Sequence, residues 1–141
     1  MMLETVYPPK FRQLLEEVRK EALERGFLCD EPGDLTDEDV RWFVLVRPAG
    51  TNPSEEAGVD VSITAAESEH FDGEEGGVNF ILDVVSYEGV IVGGLHPYNY
   101  TDRCWVPRAD EDAVAARWAL LNDAFDASAV VDSIEEFFAR E

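Results

Sequence analysis

Residues 95–105, LHPYNYTDRCW, are the one stretch of the sequence in which reactive and aromatic side chains crowd together. A histidine titrates near neutrality, and a cysteine becomes a nucleophile when a nearby cation or histidine lowers its pKa. A loop between a strand and a helix often carries function because the sheet positions it. The candidate residues for ligand binding or catalysis here are His96, Tyr98, Tyr100 and Cys104.

The same stretch also has a structural interpretation. No local motif supplies a base and an oxyanion hole, and the sequence spacing of His96 and Cys104 does not fix the distance between them. Free cysteine is among the residue types most often buried, so Tyr98, Tyr100, Cys104 and Trp105 would attach the connection to the core. We favour packing over contact with a ligand or partner, and both over covalent catalysis.

Motifs for cofactors and metals are missing from the sequence. The chain has no P-loop, no dinucleotide-binding glycine motif and no G-x-S-x-G. His70 lies among five carboxylates in residues 67–75, but the calcium-loop spacing is absent, which favours a solvated loop. Two histidines exclude a multi-histidine zinc site within one chain. We expect no metal and no cofactor, and we lean towards a protein that is not an enzyme.

Net charge is the strongest compositional feature of the chain. Its 141 residues include 31 acidic and 11 basic ones, which gives a formal net charge of −20. Such a surface repels nucleic acids and anionic lipids, so direct binding to either is not expected. Three explanations of the charge remain open: solubility in a salt-rich cytoplasm, docking onto a basic protein, and mimicry of a nucleic acid.

Acidic residues are concentrated between the predicted secondary-structure elements. Residues 29–39 and 67–77 are interpreted as acidic loops, because they contain glycine and many charges without an apolar period. A charge run of this kind is usually a solvated connection, but it can also dock a partner. The candidate partner-binding residues are Asp34, Asp37, Glu38, Asp39, Asp60, Glu67, Glu69 and Asp72.

Hydrophobic periodicity predicts three helices and four strands. An apolar stripe from Phe11 to Ala22, after two prolines, predicts the first helix at residues 9–25. Acidic residues at 110–112 favour the start of a second helix, and Ser128 is the candidate cap of a third. The strands, which are rich in β-branched residues, are predicted at 40–48, 59–65, 78–86 and 90–95.

This order, α-β-β-β-β-α-α, predicts an α+β fold. Short connections between the strands favour a four-stranded antiparallel meander, with the N-terminal helix and the two C-terminal helices packed on one face. A chain of this length without a long linker suits a single domain, residues 1–141. The uncovered face would carry Asp60, Ser62 and Thr64, with Asn79 and Asp83 as further candidates.

The sequence thus favours a cytoplasmic protein that binds a basic surface of a protein partner. The N-terminus has no apolar signal core, no stretch is long enough to span a membrane, and the two cysteines make no disulfide framework. The alternatives are a nucleic-acid mimic that inhibits a DNA- or RNA-binding protein, and a small-ligand binder or enzyme that uses residues 95–105. The oligomeric state is left open by these patterns.

Overall fold

The computed structural model describes residues 6–35, 40–49, 58–68, 76–95 and 106–139. The elements are α1 (Pro8–Glu24), β1 (Leu28–Cys29), β2 (Gly33–Leu35), β3 (Val40–Arg47), β4 (Val59–Ser68), β5 (Gly77–Ser86), β6 (Ile91–Leu95), β7 (Val106–Pro107), α2 (Glu111–Ala124) and α3 (Ala127–Ala139). The protein is therefore an α+β protein, and the predicted order of its long elements is confirmed.

The first helix, α1, forms where the apolar stripe predicts it. Its buried side chains are Phe11, Leu14, Leu15, Val18 and Ala22, which recur at helical spacing. Proline stands in the first turn, where the missing N–H costs no hydrogen bond. The helix ends before Gly26, whose φ of 89° is a conformation that glycine adopts without a steric penalty.

The long strands form the predicted antiparallel meander, with the order β3-β4-β5-β6. Three short strands extend it: β1 and β2 both pair with β3, and β7 pairs with β5. The interpretation of residues 29–39 as a loop was therefore wrong for Gly33–Leu35, which form β2. Strand pairing uses backbone groups, so an acidic segment without an apolar period can still add to a sheet edge.

All three helices cover the same face of the sheet. Alternate residues of β4, namely Val59, Val61, Ile63 and Ala65, are fully buried against them. An aromatic cluster joins the layers: the rings of Phe80 and Trp118 lie 5.3 Å apart, and that of Phe11 lies 5.9 Å from Phe80. The buried apolar side chains of strands and helices form one continuous cluster, which places the core between the two layers.

Carboxylates cap both C-terminal helices. Asp110 accepts a hydrogen bond from the backbone N–H of Ala113 at 3.1 Å, which confirms the predicted start of α2. For α3 the predicted cap, Ser128, was wrong by two positions. Asp126 accepts from the N–H groups of Ser128 and Ala129, because the residue just before the first turn has its side chain beside those free donors.

Arg25 joins the end of α1 to α3. Its guanidinium donates to Asp132 at 2.6 Å, to Glu21 at 2.9 Å and to the hydroxyl of Ser128 at 3.0 Å. We call this set of contacts the Arg25 clamp. None of the described helices is long and apolar enough to cross a lipid bilayer.

Candidate functional site

The open face of the sheet, opposite the helices, carries a polar line across its centre. Directly paired residues of neighbouring strands share a face, so the register places Phe43, Ser62 and Asp83 in one row across β3, β4 and β5. Arg41 and Thr64 form the row on one side, and Asp60 and Val85 belong to the row on the other. The expectation that Asp60, Ser62, Thr64 and Asp83 share this face is confirmed by the register.

A cleft of about 460 Å³ lies over these rows. It is lined by Arg41, Asp60, Ser62, Thr64, Asp83, Val85, Ser86 and Tyr87. We call it the open-face cleft. Two carboxylates, one guanidinium and several hydroxyl groups are thus brought together on rigid strands, which is a setting suited to polar recognition.

Asp60 is the most constrained polar group of the open-face cleft. Its Oδ2 lies 3.6 Å from the guanidinium of Arg41, while its Oδ1 is buried and has no hydrogen-bond partner among the described residues. Burial raises the pKa of the Asp60 carboxyl above its usual value; the Arg41 charge opposes the rise, and the Asp83 charge adds to it. The Asp60 side chain is 30% exposed, and its exposed part is what a bound donor would contact.

Small hydroxyl side chains form the floor between the two acids. Ser62 is 2% exposed because it lies between the larger residues Phe43 and Asp83 of the adjacent strands, and Thr64 is half-buried beside Arg41. Hydroxyl groups both donate and accept, so this floor suits a polar or cationic group without fixing its orientation.

The tight turn between β5 and β6 closes one end of the cleft. Two hydrogen bonds join Ser86 to Val90. The Ser86 N–H donates to the Val90 carbonyl at 2.9 Å, and the Ser86 hydroxyl accepts from the Val90 N–H at 3.1 Å. Gly89 has a φ of 84°, a conformation that residues with a side chain rarely adopt. The turn holds Tyr87, which is 51% exposed, at the rim of the cleft.

Asn79 was a further candidate for the open face, and its side chain is fully buried instead. Residues 77–78 of β5 pair with β7 and residues 82–85 with β6, so Asn79 lies beside the gap between those two strands. Its Oδ1 accepts from the Phe80 N–H at 3.0 Å and from Nε of Arg117 at 3.3 Å. Asn79 thus replaces missing ladder contacts and does not belong to the exposed surface.

Two of the residues predicted from the sequence to bind a partner, Asp34 and Glu67, do not line the open-face cleft. Asp34 pairs with Trp42, which shares its face with the core residue Ile63, so Asp34 lies on the face opposite to Asp60. Glu67 is in β4, at the end away from the turn. The other predicted residues lie outside the described residues; these are Asp37, Glu38, Asp39, Glu69, Asp72, His96, Tyr98, Tyr100 and Cys104.

Four cleft residues were not among the residues singled out from the sequence: Arg41, Val85, Ser86 and Tyr87. Arg41 could have been found from strand parity, because residues 40, 42, 44 and 46 are apolar and position 41 must face the other way. The residues of the β5–β6 turn carry no comparable signal, since their position over the cleft depends on how that turn folds.

The cysteine of the described residues, Cys29, does not supply a reactive thiol. Cys29 is buried on the helix-covered side, where desolvation raises the pKa of its thiol to about 12. No group of three or more metal-ligating side chains occurs among the described residues. A buried thiol that stays protonated at neutral pH is neither a nucleophile nor a metal ligand.

The fold and the cleft define an α+β protein with helices on one face of an antiparallel sheet and a polar cleft on the other. No protein-family model matches the chain, and comparisons with curated proteins and with solved structures give no match. The function is therefore argued from the chemistry of the open-face cleft and from the charge of the chain.

Proposed function

We propose that the protein is a non-catalytic interaction protein that binds a basic surface of a protein partner. In this proposal the open-face cleft receives an arginine or lysine side chain of that partner. The observation that carries it is the combination of two carboxylates, Asp60 and Asp83, with one guanidinium, that of Arg41, among the described residues that line the cleft.

A cationic side chain fits this position for two reasons. A guanidinium or ammonium group donates several hydrogen bonds and would form charge-assisted bonds with the carboxylates of Asp60 and Asp83 where they face the cleft. Its charge would also stabilise the ionised form of a carboxylate that burial otherwise disfavours. The net charge of −20 adds long-range attraction, which raises the association rate with a basic partner.

The chemistry of the cleft supports binding over catalysis. Among the described residues, those that line the cleft include carboxylates, hydroxyls and one guanidinium but neither histidine nor cysteine. The carboxylates of the described residues occur on both faces of the molecule, as Asp60 and Asp34 illustrate, and this distribution does not favour the parallel rows that a nucleic-acid mimic needs. We place the protein in the cytoplasm, where the thiols of its two cysteines stay reduced.

A capture experiment with charge-matched variants tests the proposal. The Asp60→Asn/Asp83→Asn variant removes both carboxylates of the cleft. The Asp123→Asn/Glu24→Gln variant removes the same number of charges from exposed positions elsewhere. Wild-type protein and the control should retain one stoichiometric partner whose binding weakens with salt, and the cleft variant should lose it.

Two results would contradict the proposal. Repeated capture without a stoichiometric partner would remove the case for an interaction protein. Equal loss of the partner in both variants would show that total charge, and not the open-face cleft, holds it.

The salt dependence of stability tests the competing explanation of the charge. Screening of self-repulsion should saturate within a few tenths molar salt, where the Debye length has fallen below about 10 Å. We expect the melting temperature to level off in that range of potassium chloride. A melting temperature that keeps rising into the molar range would identify the charge as an adaptation to salt and would remove the electrostatic support for a basic partner.

A further inference from the structure

Strand β6 is the last strand on one side of the sheet. Within the described part of the chain no strand pairs with its outer edge, so backbone groups along that edge have no ladder partner there. Two apolar side chains at the start of this strand are exposed: Ile91 is 77% exposed and Val90, just before it, is 47% exposed. An edge with free backbone groups and exposed apolar side chains is a template for one more strand.

The sequence of β6 lacks the usual protection of a sheet edge. Natural edges are commonly blocked by lysine, proline or another charged residue, and Ile91–Leu95 reads IVGGL. A register irregularity between Val84 and Val85 interrupts its pairing with β5, and the pairs from Gly93 to Leu95 follow a regular register. Within the described part of the chain, the protection that remains is the bulge and the short length of the strand.

A groove runs between β6 and α3, beside the free edge. It has a volume of about 180 Å³ and is lined by Val90, Ile91, Val92, Ser133, Glu136 and Phe137. A smaller adjoining cavity of about 120 Å³ lies next to Gly93 and includes Asp126 in its lining. We call the two together the β6 groove. Its surface combines apolar and polar groups, the latter including acidic side chains, and none of its described lining residues is basic.

Charge decides which occupant fits the β6 groove. A second copy of this chain would bring another charge of −20 and a second set of the same carboxylates. A strand whose apolar residues lie beside Ile91 on the open face would, at its alternate positions, place lysine or arginine on the other side, over the β6 groove and near Glu136. Charge complementarity thus favours a basic segment over self-association.

We propose that β6 accepts an extended cationic segment of the partner protein as an additional strand, with its cationic side chains over the β6 groove and its apolar side chains beside Ile91. This inference rests on the proposed function, because it names a second contact for the same basic partner. Backbone hydrogen bonds would supply affinity that does not depend on sequence, and the groove would select the alternate side chains.

A synthetic peptide of about eight residues with alternating valine and lysine is a suitable probe. Its control carries methyl groups on alternate backbone nitrogens, which removes the donors of one strand edge and keeps charge and apolar surface. We expect the unmodified peptide to give saturable amide chemical-shift changes at Ile91–Leu95 in the isotope-labelled protein. The methylated peptide should give none.

A pair of variants tests the apolar part of the contact. Ile91→Ser should weaken binding of the peptide about tenfold, which corresponds to the loss of one well-buried aliphatic side chain. Leu120→Ser removes a similarly exposed leucine from α2, outside the residues that line the β6 groove, and should leave the affinity unchanged. Both side chains are exposed, so neither change is expected to impair folding.

Several outcomes would overturn strand addition. Equal binding of the methylated peptide, shift changes centred on Asp60 and Asp83, or no binding would each do so. Concentration-dependent changes at Ile91–Leu95 without peptide would identify a second copy as the occupant. The capture experiment remains a separate test: a partner lost by the cleft variant but retained by Ile91→Ser would support the proposed function and contradict this inference.

Discussion

The two faces of one sheet differ although they share the same strands. On the helix-covered face, Ile63 and Phe80 are completely buried in an apolar cluster. On the open face, the neighbouring residues Thr64 and Ile81 are only half-buried, and polar groups occupy the centre. Strand alternation thus separates successive residues into two sets: one stabilises the fold, and the other is the set that we propose recognises a partner.

Truncating a phenylalanine on each face should give the largest difference. Phe80→Ala removes a ring that contacts Tyr7, Phe11 and Trp118, and should lower the free energy of unfolding by about 3–5 kcal/mol. Phe43→Ala removes a half-buried ring that lies beside Gly33 on the open face, and should cost about 1 kcal/mol. Urea denaturation of the two variants measures both values. Equal losses would show that the open face is part of a second core.

Replacing Asp60 by asparagine should change the free energy of unfolding by less than the truncation of Phe80 and in the opposite direction, and this change should depend on pH. Burial raises the pKa of Asp60 in the folded protein, so the folded state holds the proton more tightly than the unfolded state does. Stability contributed by this site therefore falls as the pH rises from the usual carboxyl range through the raised pKa. We expect Asp60→Asn to be about 1 kcal/mol more stable than wild type at neutral pH.

The advantage of Asp60→Asn should disappear at acidic pH, where the wild-type carboxyl is itself neutral. Thermal unfolding over a pH series measures this, with Asp34→Asn as the charge-matched control at an exposed position. An advantage that is the same for both variants would assign it to the reduced net charge of the chain. In that case the burial of Oδ1 of Asp60 without a hydrogen-bond partner would not lower the stability of the folded protein.

The smallest expected effect concerns thiol reactivity and involves no change in stability. Cys29 lies on the covered face, where burial holds its pKa at about 12, so little thiolate exists at about pH 8. A mild alkylating reagent should leave Cys29 unmodified in the folded protein and modify it after denaturation. Any native labelling should therefore map to Cys104, and Cys29→Ser should show the same labelling as wild type. Rapid native alkylation of Cys29 would mean that β1 opens readily from the sheet.

The covered face was predictable from the sequence because its signals are local. The spacing of Phe11, Leu14 and Val18 in α1 and the alternation of Val59, Val61 and Ile63 in β4 both reflect burial on one side of a regular element. The caps depend on one or two positions, which is why Asp110 was identified and Asp126 was not.

The candidate site was predictable only in part. Asp60, Ser62, Thr64 and Asp83 follow from the parity of two strands, whereas the pairing of Arg41 with Asp60 depends on the register of β3 against β4. The short strands β1, β2 and β7 were missed because two or three residues carry no periodicity. The edge position of β6 depends on the strand order of the whole sheet, so no local sequence pattern predicts it.

The Arg25 clamp has a consequence for synthesis on the ribosome. The bond from Arg25 to Asp132 joins residues that are 107 positions apart in the chain. A nascent chain must therefore be made through Asp132 before α1 gains its contact with α3, and until then the apolar stripe of α1 lacks part of its cover. The interval between emergence of the first helix and that of the last is when the growing polypeptide is most exposed to aggregation, and when a chaperone would bind it.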